Sequence, residues 1–347
     1  MSYRTPEHRE GPVQNVLRAL DEAERVLLTT HMNADGDGAG CQAALASWLR
    51  NRGTEAWIVN PTPFPELFTF LLQEEDWVLK AGSAEAKRVA AQADLAVVLD
   101  TGEYSRIERV SSHLEDLSTV VVDHHPPGED AIAGISFRDP TAAATGELVY
   151  DVLLAAGDTL APVACDALYV ALMTDTGCFR FSNSTAGAFR VAGDLVEAGV
   201  SPEELHRKVY GSHPLRRHRL LARSLEHLEV DDEGLVAWMT VPRDAYEELG
   251  ATTEELDGFV DYPRSVEGVE VGVLFRALGD GSTKVSFRST GRVDVNALAR
   301  EFGGGGHVRA AGARVEAPVE KVRSEVLEKT RNRARAVRNP PDGEGVH

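Results

Sequence analysis

The chain has 347 residues, 43% of them hydrophobic, and a formal net charge of −19. This length and apolar content suffice for two domains with substantial cores. The acidic balance argues against binding long duplex nucleic acid through a broad basic face, but a local site for a short charged ligand remains compatible with it. No run of about 18 apolar residues occurs, so no membrane-spanning segment is expected.

The cysteines and the N-terminal residues indicate the cellular compartment in which the protein is expected. Cys41, Cys165 and Cys178 show no paired spacing. A disulfide framework is therefore not expected, and a reducing environment is favoured. The N-terminal residues are polar and contain no apolar signal core, so we expect a cytoplasmic protein.

The first half alternates between strand-like and helix-like segments. Short apolar runs typical of buried strands occur at residues 25–31, 55–60, 93–100 and 117–123. Apolar residues at helical spacing predict helices at residues 37–53, 85–91, 145–157, 161–175 and 186–199. This alternation predicts βαβ units, and hence an α/β fold with a mostly parallel sheet flanked by helices.

The second half has a different composition, which changes near residues 201–202 and is locally basic at residues 210–223. Further strands are predicted at residues 235–241, 269–276 and 283–289, and helices at 293–302 and 318–335. We expect a smaller α/β domain here, with a cleft between it and the first domain. The predicted organisation is a first domain at 1–195, a connection at 196–220, a second domain at 221–336 and a disordered tail at 337–347.

Polar side chains follow the predicted strands of the first half where the strands end. These residues are His31, Asp35, Asp37, Asp100, Asp123, His124 and His125. Asp175 closes a predicted helix. Because the carboxyl ends of parallel strands face one crevice, we expect most of these side chains to converge there.

Converging carboxylates need a counter-charge, since several of them within a few ångströms repel one another. Oxygen and imidazole ligands without thiolate suit Mn²⁺, and less exclusively Mg²⁺, Fe²⁺, Co²⁺ or Zn²⁺. Four aspartates match two divalent ions, and two ions about 3.5–4 Å apart are the usual arrangement for phosphoester hydrolysis. Each aspartate taken alone is more often a helix cap or a turn residue, so the hypothesis depends on the whole ordered set.

Four segments of the first half resemble the successive motifs of the DHH phosphoesterase superfamily: T30-H-M-N-A-D-G-D-G38, V98-L-D-T-G102, V122-D-H-H125 and M173-T-D-T-G177. Residues 285–289 and 302–312 resemble its DHH-associated C-terminal domain, DHHA1. The resemblance extends from about residue 15 to 335, and is strongest to the nanoRNase/pAp-phosphatase group of bacterial enzymes. One departure is Ala34, where the first motif usually has proline.

The resemblance implies two divalent ions, which we expect to be Mn²⁺. The implied ligands are His31, Asp35 and Asp100 for one ion, and Asp37, Asp100, His124 and Asp175 for the other. Asp123 is implied to support these ligands, and His125 to face the substrate phosphate or the leaving group. Gly36 is expected to allow a tight turn that aims its two neighbouring carboxylates at different ions.

Residues 303–307, G-G-G-G-H, are predicted to form an ordered loop whose glycines let backbone N–H groups approach a phosphate or nucleotide. By the resemblance, this second domain binds the nucleotide. The candidate substrate-binding residues are Asn183, Arg288, Ser289, Gly304, Gly305, Gly306 and His307. Arg180 is a candidate for contact with the phosphoryl group, with a polar turn as the alternative.

We therefore expect a metal-dependent hydrolase of short RNA oligonucleotides and dinucleotides such as pApA, which also removes the 3′-phosphate of pAp. The alternatives are a cyclic-dinucleotide phosphodiesterase and a non-catalytic nucleotide- or RNA-binding module. The module is disfavoured because every expected ligand is present. Neither a membrane nor long duplex nucleic acid is expected as a partner, and the resemblance is compatible with a homodimer.

Overall fold

The structure, a computed structural model, describes residues 2–114 and 117–338. The chain divides after Ser212 into two compact units. This point falls within residues 196–220, the predicted connection, most of which is helical. None of the helices in the described ranges is long and apolar enough to cross a membrane.

A six-stranded parallel sheet forms the centre of the first unit. Its strands are β1 (Arg25–Thr30), β2 (Glu55–Asn60), β3 (Val78–Lys80), β4 (Leu95–Leu99), β5 (Ser118–Asp123) and β6 (Ile135–Arg138). The spatial order is β3-β2-β1-β4-β5-β6, and all neighbouring strands are parallel. The chain proceeds outward from β1 to one edge and then outward from β4 to the other. The carboxyl ends of β1 and β4 therefore lie side by side at a topological switch point, where open α/β sheets bind ligands.

Helices cover both faces of this sheet. They are α1 (Glu7–Glu22), α2 (Gly36–Asn51), α3 (Ala84–Gln92), α4 (Tyr104–Ile107), α5 (Thr145–Ala156), α6 (Pro162–Asp175), α7 (Ala186–Glu197) and α8 (Pro202–Tyr210). Successive side chains of a strand point to opposite faces, so Val26 and Leu28 pack in one core and Leu27 in another. Burial on both faces explains the continuous apolar runs of the sequence. The predicted α/β class with a parallel sheet is confirmed.

The N-terminal helix α1 and the short strands β3 and β6 were not among the sequence predictions. The signal for α1 was present, because its buried residues Val13, Val16, Leu17 and Leu20 have helical spacing. For β3 and β6, three and four residues are too short for a periodic pattern to stand out.

Two glycines let α2 approach α6 closely. A Cβ atom on Gly36 would lie 2.4 Å from Thr174 Oγ1, and one on Gly40 would lie 2.4 Å from the carbonyl oxygen of Ala167. Gly36 is the first residue of α2 and is not among the glycines with positive φ. Close packing between the two helices therefore requires glycine at this position, a reason that the sequence did not reveal. The expectation that Gly36 helps to aim its two neighbouring carboxylates at different ions stays a prediction.

The second unit contains a mixed six-stranded sheet in the order β11-β12-β10-β9-β8-β7. Its strands are β7 (Leu228–Val230), β8 (Val236–Val241), β9 (Val271–Ala277), β10 (Thr283–Ser289), β11 (Gly305–His307) and β12 (Ala310–Val315). Its helices are α9 (Leu215–Leu225), α10 (Arg243–Glu248), α11 (Asp261–Arg264), α12 (Val295–Arg300) and α13 (Val319–Arg338). The predicted tail, residues 337–347, begins inside α13, and residues 339–347 lie outside the described part.

Candidate metal centre

The first group of candidate ligands lies where β1 and β4 end. His31 Nε2 is 3.2 Å from Asp100 Oδ2 and 3.9 Å from Asp35 Oδ1. Asp35 also caps α2, since its Oδ1 accepts hydrogen bonds from the backbone N–H groups of Asp37 and Gly38 at 3.0 and 3.1 Å. The capping and ligand interpretations of Asp35 are therefore compatible with each other. The three side chains present ligand atoms that lie within 4.8 Å of one another.

The second group surrounds His124, which follows β5. Its Nε2 lies 3.9 Å from Asp37 Oδ2, 3.8 Å from Asp100 Oδ1 and 3.7 Å from Asp175 Oδ2. Asp100 thus borders both groups, with Oδ2 toward His31 and Oδ1 toward His124. Its backbone has φ +60°, a conformation that is uncommon outside glycine and recurs at functional sites.

The two imidazoles share one orientation. His31 Nδ1 lies 2.9 Å from the carbonyl oxygen of Met32, and His124 Nδ1 lies 3.4 Å from that of Ala142. In the neutral ring, an N–H at Nδ1 leaves the lone pair on Nε2, which here faces carboxylate oxygens. His124 Nε2 is buried and has no hydrogen-bond partner among the described residues. A lone pair directed at carboxylates is unfavourable unless a cation lies between them, so this donor set fits a divalent metal.

The carboxylates cannot all carry a charge here without such a cation. Burial raises the pKa of Asp37 well above its ordinary value, and the charges of Asp100 and Asp175 add to this effect. Burial also raises the pKa of Asp175 to about 6, against the opposing effect of His124. For Asp100, burial is outweighed by the surrounding imidazoles, which lower its pKa. Nearby carboxylates with such divergent pKa values are typical of a site that holds positive charge.

His125 is oriented by Asp123. Its Nδ1 lies 2.8 Å from Asp123 Oδ1, and the same oxygen accepts a hydrogen bond from the His125 backbone N–H at 3.0 Å. Burial alone would lower the pKa of His125, but the hydrogen bond to Asp123 and the charges of Asp100 and Asp123 raise it above the ordinary value. On its other side, Asp123 Oδ2 lies 3.5 Å from Arg138 Nε. The sequence interpretation did not include Arg138, which ends a strand too short to have been predicted.

Comparison with known proteins identifies the family of this chain. Residues 25–172 match the model of the DHH family, N-terminal domain, and residues 233–336 match that of the DHHA1 domain. A Thermus thermophilus protein named bifunctional oligoribonuclease and PAP phosphatase NrnA is 33% identical, over 92% of this chain and 92% of the relative. The chain belongs to the DHH family.

Two further proteins are similar to this chain. A Bacillus subtilis protein, also named bifunctional oligoribonuclease and PAP phosphatase NrnA, is 28% identical over 86% of this chain and 92% of the relative. A solved structure described as an exopolyphosphatase-related protein from Bacteroides fragilis has a TM-score of 0.88 at 22% identity. It covers 95% of this chain and 98% of that chain. At this identity the solved structure shows the shared fold alone.

The DHH domain also contains supporting residues that the sequence did not single out. Thr145 and Gly146, at the start of α5, donate backbone hydrogen bonds to the two carboxylate oxygens of Asp37 at 2.7 and 2.8 Å. The sequence signal for them is the start of α5, which follows a strand of the same sheet and so brings the first N–H groups of the helix to the edge where the ligands lie. Asn183, predicted to bind substrate, donates from Nδ2 to Asp175 Oδ2 at 3.0 Å.

The other predicted residues make contacts within their own segments. Arg180 donates from Nε to the carbonyl oxygen of Gly177 at 2.7 Å, within its own turn. In the second unit, Arg288 donates from Nη1 to the carbonyl oxygen of Phe287 at 3.2 Å, and Ser289 Oγ accepts from the Gly291 N–H at 3.0 Å. Residues 305–307 form β11 and pair with β12, so the predicted glycine loop is partly a strand.

Proposed function

We propose that this protein is a metal-dependent hydrolase of short RNA oligonucleotides and dinucleotides such as pApA, and that it also dephosphorylates pAp to AMP. One observation carries the proposal. The buried His124 Nε2 has three carboxylates within 3.9 Å and no hydrogen-bond partner in the described part of the chain. The names of the Thermus and Bacillus relatives, oligoribonuclease and PAP phosphatase, support the choice of substrate class.

We assign the ligands of two divalent ions in two sets that share Asp100. They are His31, Asp35 and Asp100 for one ion, and Asp37, Asp100, His124 and Asp175 for the other. Mn²⁺ is the proposed ion, since imidazole and carboxylate without thiolate suit it. When bound, two such ions neutralise the carboxylates, polarise the phosphoryl oxygens and acidify a water molecule.

His125 is the proposed general acid. Its Nδ1–H donates to Asp123 Oδ1, so the protonated ring holds its second proton at Nε2. That proton can pass to the leaving oxygen, and Asp123 then fixes the tautomer and the ring plane. The raised pKa of His125 favours the protonated form that this role needs.

The second unit supplies the proposed nucleotide-binding residues. Arg288 and His307 provide cationic or hydrogen-bonding groups for phosphate, and Ser289 with the glycines Gly304, Gly305 and Gly306 provides backbone contact. Arg180 is proposed to approach the phosphoryl group. We further propose a cytoplasmic location and a homodimer.

The test is a substrate panel with the purified full-length chain. The protein is incubated with Mn²⁺, Mg²⁺ or EDTA and, separately, with a 5′-labelled RNA dinucleotide, a long RNA oligomer, pAp and a cyclic dinucleotide. We expect metal-dependent cleavage of the dinucleotide and of pAp, with the long oligomer a poor substrate. Preference for the cyclic dinucleotide would favour the alternative phosphodiesterase. Tight binding without any hydrolysis would favour the non-catalytic module and overturn the proposal.

Two variants test the assigned roles. Asp100→Ala should abolish turnover, because it removes the ligand shared by both ions, while circular dichroism shows a folded protein. Arg288→Ala should chiefly raise KM, whereas a fall in kcat alone would place Arg288 in the transition state.

A further inference from the structure

Thr145, the first residue of α5, contacts three of the proposed ligand residues. Its backbone N–H donates to Asp37 Oδ2 at 2.7 Å, and its hydroxyl donates to Asp100 Oδ1 at 2.9 Å. The hydroxyl oxygen also accepts from the backbone N–H of His124, at 3.4 Å. Thr145 is fully buried. One side chain thus connects the start of α5 to residues that follow β4 and β5.

The hydroxyl acts on the carboxylate that both ligand groups share. Asp100 Oδ1 lies 3.8 Å from His124 Nε2, whereas Asp100 Oδ2 lies 3.2 Å from His31 Nε2. The two oxygens of Asp100 face different ligand groups, so rotation about its Cβ–Cγ bond would disturb both proposed sites together. The bond from Thr145 to Oδ1 opposes that rotation, since it anchors one of the two oxygens.

We propose that Thr145 is a positioning residue that holds Asp100 in the bridging orientation. The inference rests on the proposed two-metal site. Valine has nearly the same shape as threonine but lacks the donor, so Thr145→Val leaves Asp100 Oδ1 without this hydrogen bond. Partners that orient metal ligands in this way typically contribute 10–100-fold to metal affinity or activity, and we expect about that loss.

The surrounding turn is held independently of the Thr145 side chain. Glu147 Oε2 accepts a hydrogen bond from the Ala143 N–H at 2.9 Å, and Glu147 Oε1 pairs with Arg9 Nη1 at 2.7 Å. The backbone bond from Thr145 to Asp37 does not depend on the side chain either. Thr145→Val should therefore retain the fold and the backbone contacts of α5, and lose only the hydroxyl contacts.

A control lies in the same turn, at the exposed Thr141. The Thr141 hydroxyl donates to Asp139 Oδ1 at 2.6 Å, a hydroxyl–carboxylate bond that involves none of the proposed ligands. Thr141→Val removes a bond of the same chemical type from the same segment. It should leave Mn²⁺ affinity within about twofold of the wild-type value.

The experiment titrates the metal-free full-length protein with Mn²⁺ alone by calorimetry, with steady-state kinetics on an RNA dinucleotide as the second measurement. We expect Thr145→Val to weaken Mn²⁺ binding by about 10–100-fold and to lower kcat with little change in KM. Thr145→Ser, which keeps the hydroxyl, should restore both values to within a few-fold.

Three results would overturn the proposal: wild-type Mn²⁺ affinity in Thr145→Val, an equal loss in Thr141→Val, or no recovery in a folded Thr145→Ser. If Thr145→Val does not fold, Thr145→Ala takes its place, since it also lacks the hydroxyl, and wild-type Mn²⁺ affinity in a folded Thr145→Ala would overturn the proposal. A wild-type protein that binds Mn²⁺ but shows no Thr145 effect refutes this inference alone. Absence of Mn²⁺ binding by the wild type refutes the proposed function as well.

Discussion

We expect Arg9→Met to destabilise the first unit by about 5 kcal/mol at neutral pH. Arg9 is 3% exposed, and its guanidinium lies 2.5 Å from Asp139 Oδ2, 2.7 Å from Glu147 Oε1 and 3.1 Å from Asp151 Oδ2. It also donates to the Tyr3 hydroxyl at 3.3 Å. Methionine fills much of the same volume but carries no charge, so three buried carboxylates lose their shared cation.

The magnitude follows from this arrangement. Removing one partner of a buried ion pair typically costs about 3–5 kcal/mol, because the remaining charge stays buried without compensation. Here one cation serves three carboxylates, and Asp151 Oδ1 already lacks a hydrogen-bond partner within the described ranges. We therefore take the upper end of that range. For a unit of this size, about 5 kcal/mol corresponds to a fall in Tm of roughly 10–20 °C.

The effect should depend on pH with a defined sign. In the wild type, burial would raise the pKa of Asp139, but hydrogen bonds from Thr141, His8 and Arg9 lower it. Asp139 therefore stabilises the fold above its unfolded pKa near 4, and this contribution is lost as the pH falls. In Arg9→Met the carboxylates have no compensating cation, so their pKa values rise. Protonation at lower pH then removes the free-energy cost of burying their negative charges. The stability difference between the two proteins should shrink from pH 7.5 to pH 5.

The assay is thermal and urea unfolding followed by circular dichroism at both pH values. Arg88→Met is the control, since Arg88 is 59% exposed and lies 3.7 Å from an equally exposed Glu85. That surface pair should contribute less than about 1 kcal/mol. A loss below about 1 kcal/mol in Arg9→Met at pH 7.5, or a loss that does not change with pH, would refute the reasoning.

Three further predictions concern packing and the site. Gly40→Ala should destabilise the fold by several kcal/mol in urea unfolding, because the new Cβ would lie 2.4 Å from a backbone carbonyl oxygen of α6. The control is Gly193→Ala in α7, where the new Cβ would meet open space, and this change should stabilise the fold by about 0.4–1 kcal/mol. Similar effects of the two changes would contradict the close packing. Asn183→Ala should weaken Mn²⁺ binding in calorimetry by about tenfold if it holds Asp175, whereas a rise in KM alone would support its predicted substrate contact. Asp123→Asn should lower kcat by about 10²-fold or more in steady-state assays, because the neutral amide no longer stabilises the protonated imidazole, and an unchanged kcat would exclude this role.

The sequence alone determined the class of the fold and the position of the candidate site. Strands that are buried on both faces must be continuously apolar, so β1, β4 and β5 were visible as runs. Parallel strands bring their carboxyl ends to one edge, so polar residues at those ends had to be neighbours. Both features can be recognised in short stretches of sequence once the sheet is taken to be parallel, which is why a single sequence sufficed.

The tertiary structure decided which residues hold that site in place. Arg9 contacts Glu147, and Thr145 contacts Asp37, across more than 100 residues of chain. No local periodicity encodes such pairs, since each depends on how separate helices pack against one sheet. The need for glycine at position 36 could not be predicted from the sequence for the same reason. Gly36 in α2 packs against Thr174 in α6, and only the packed structure reveals that a side chain has no room there.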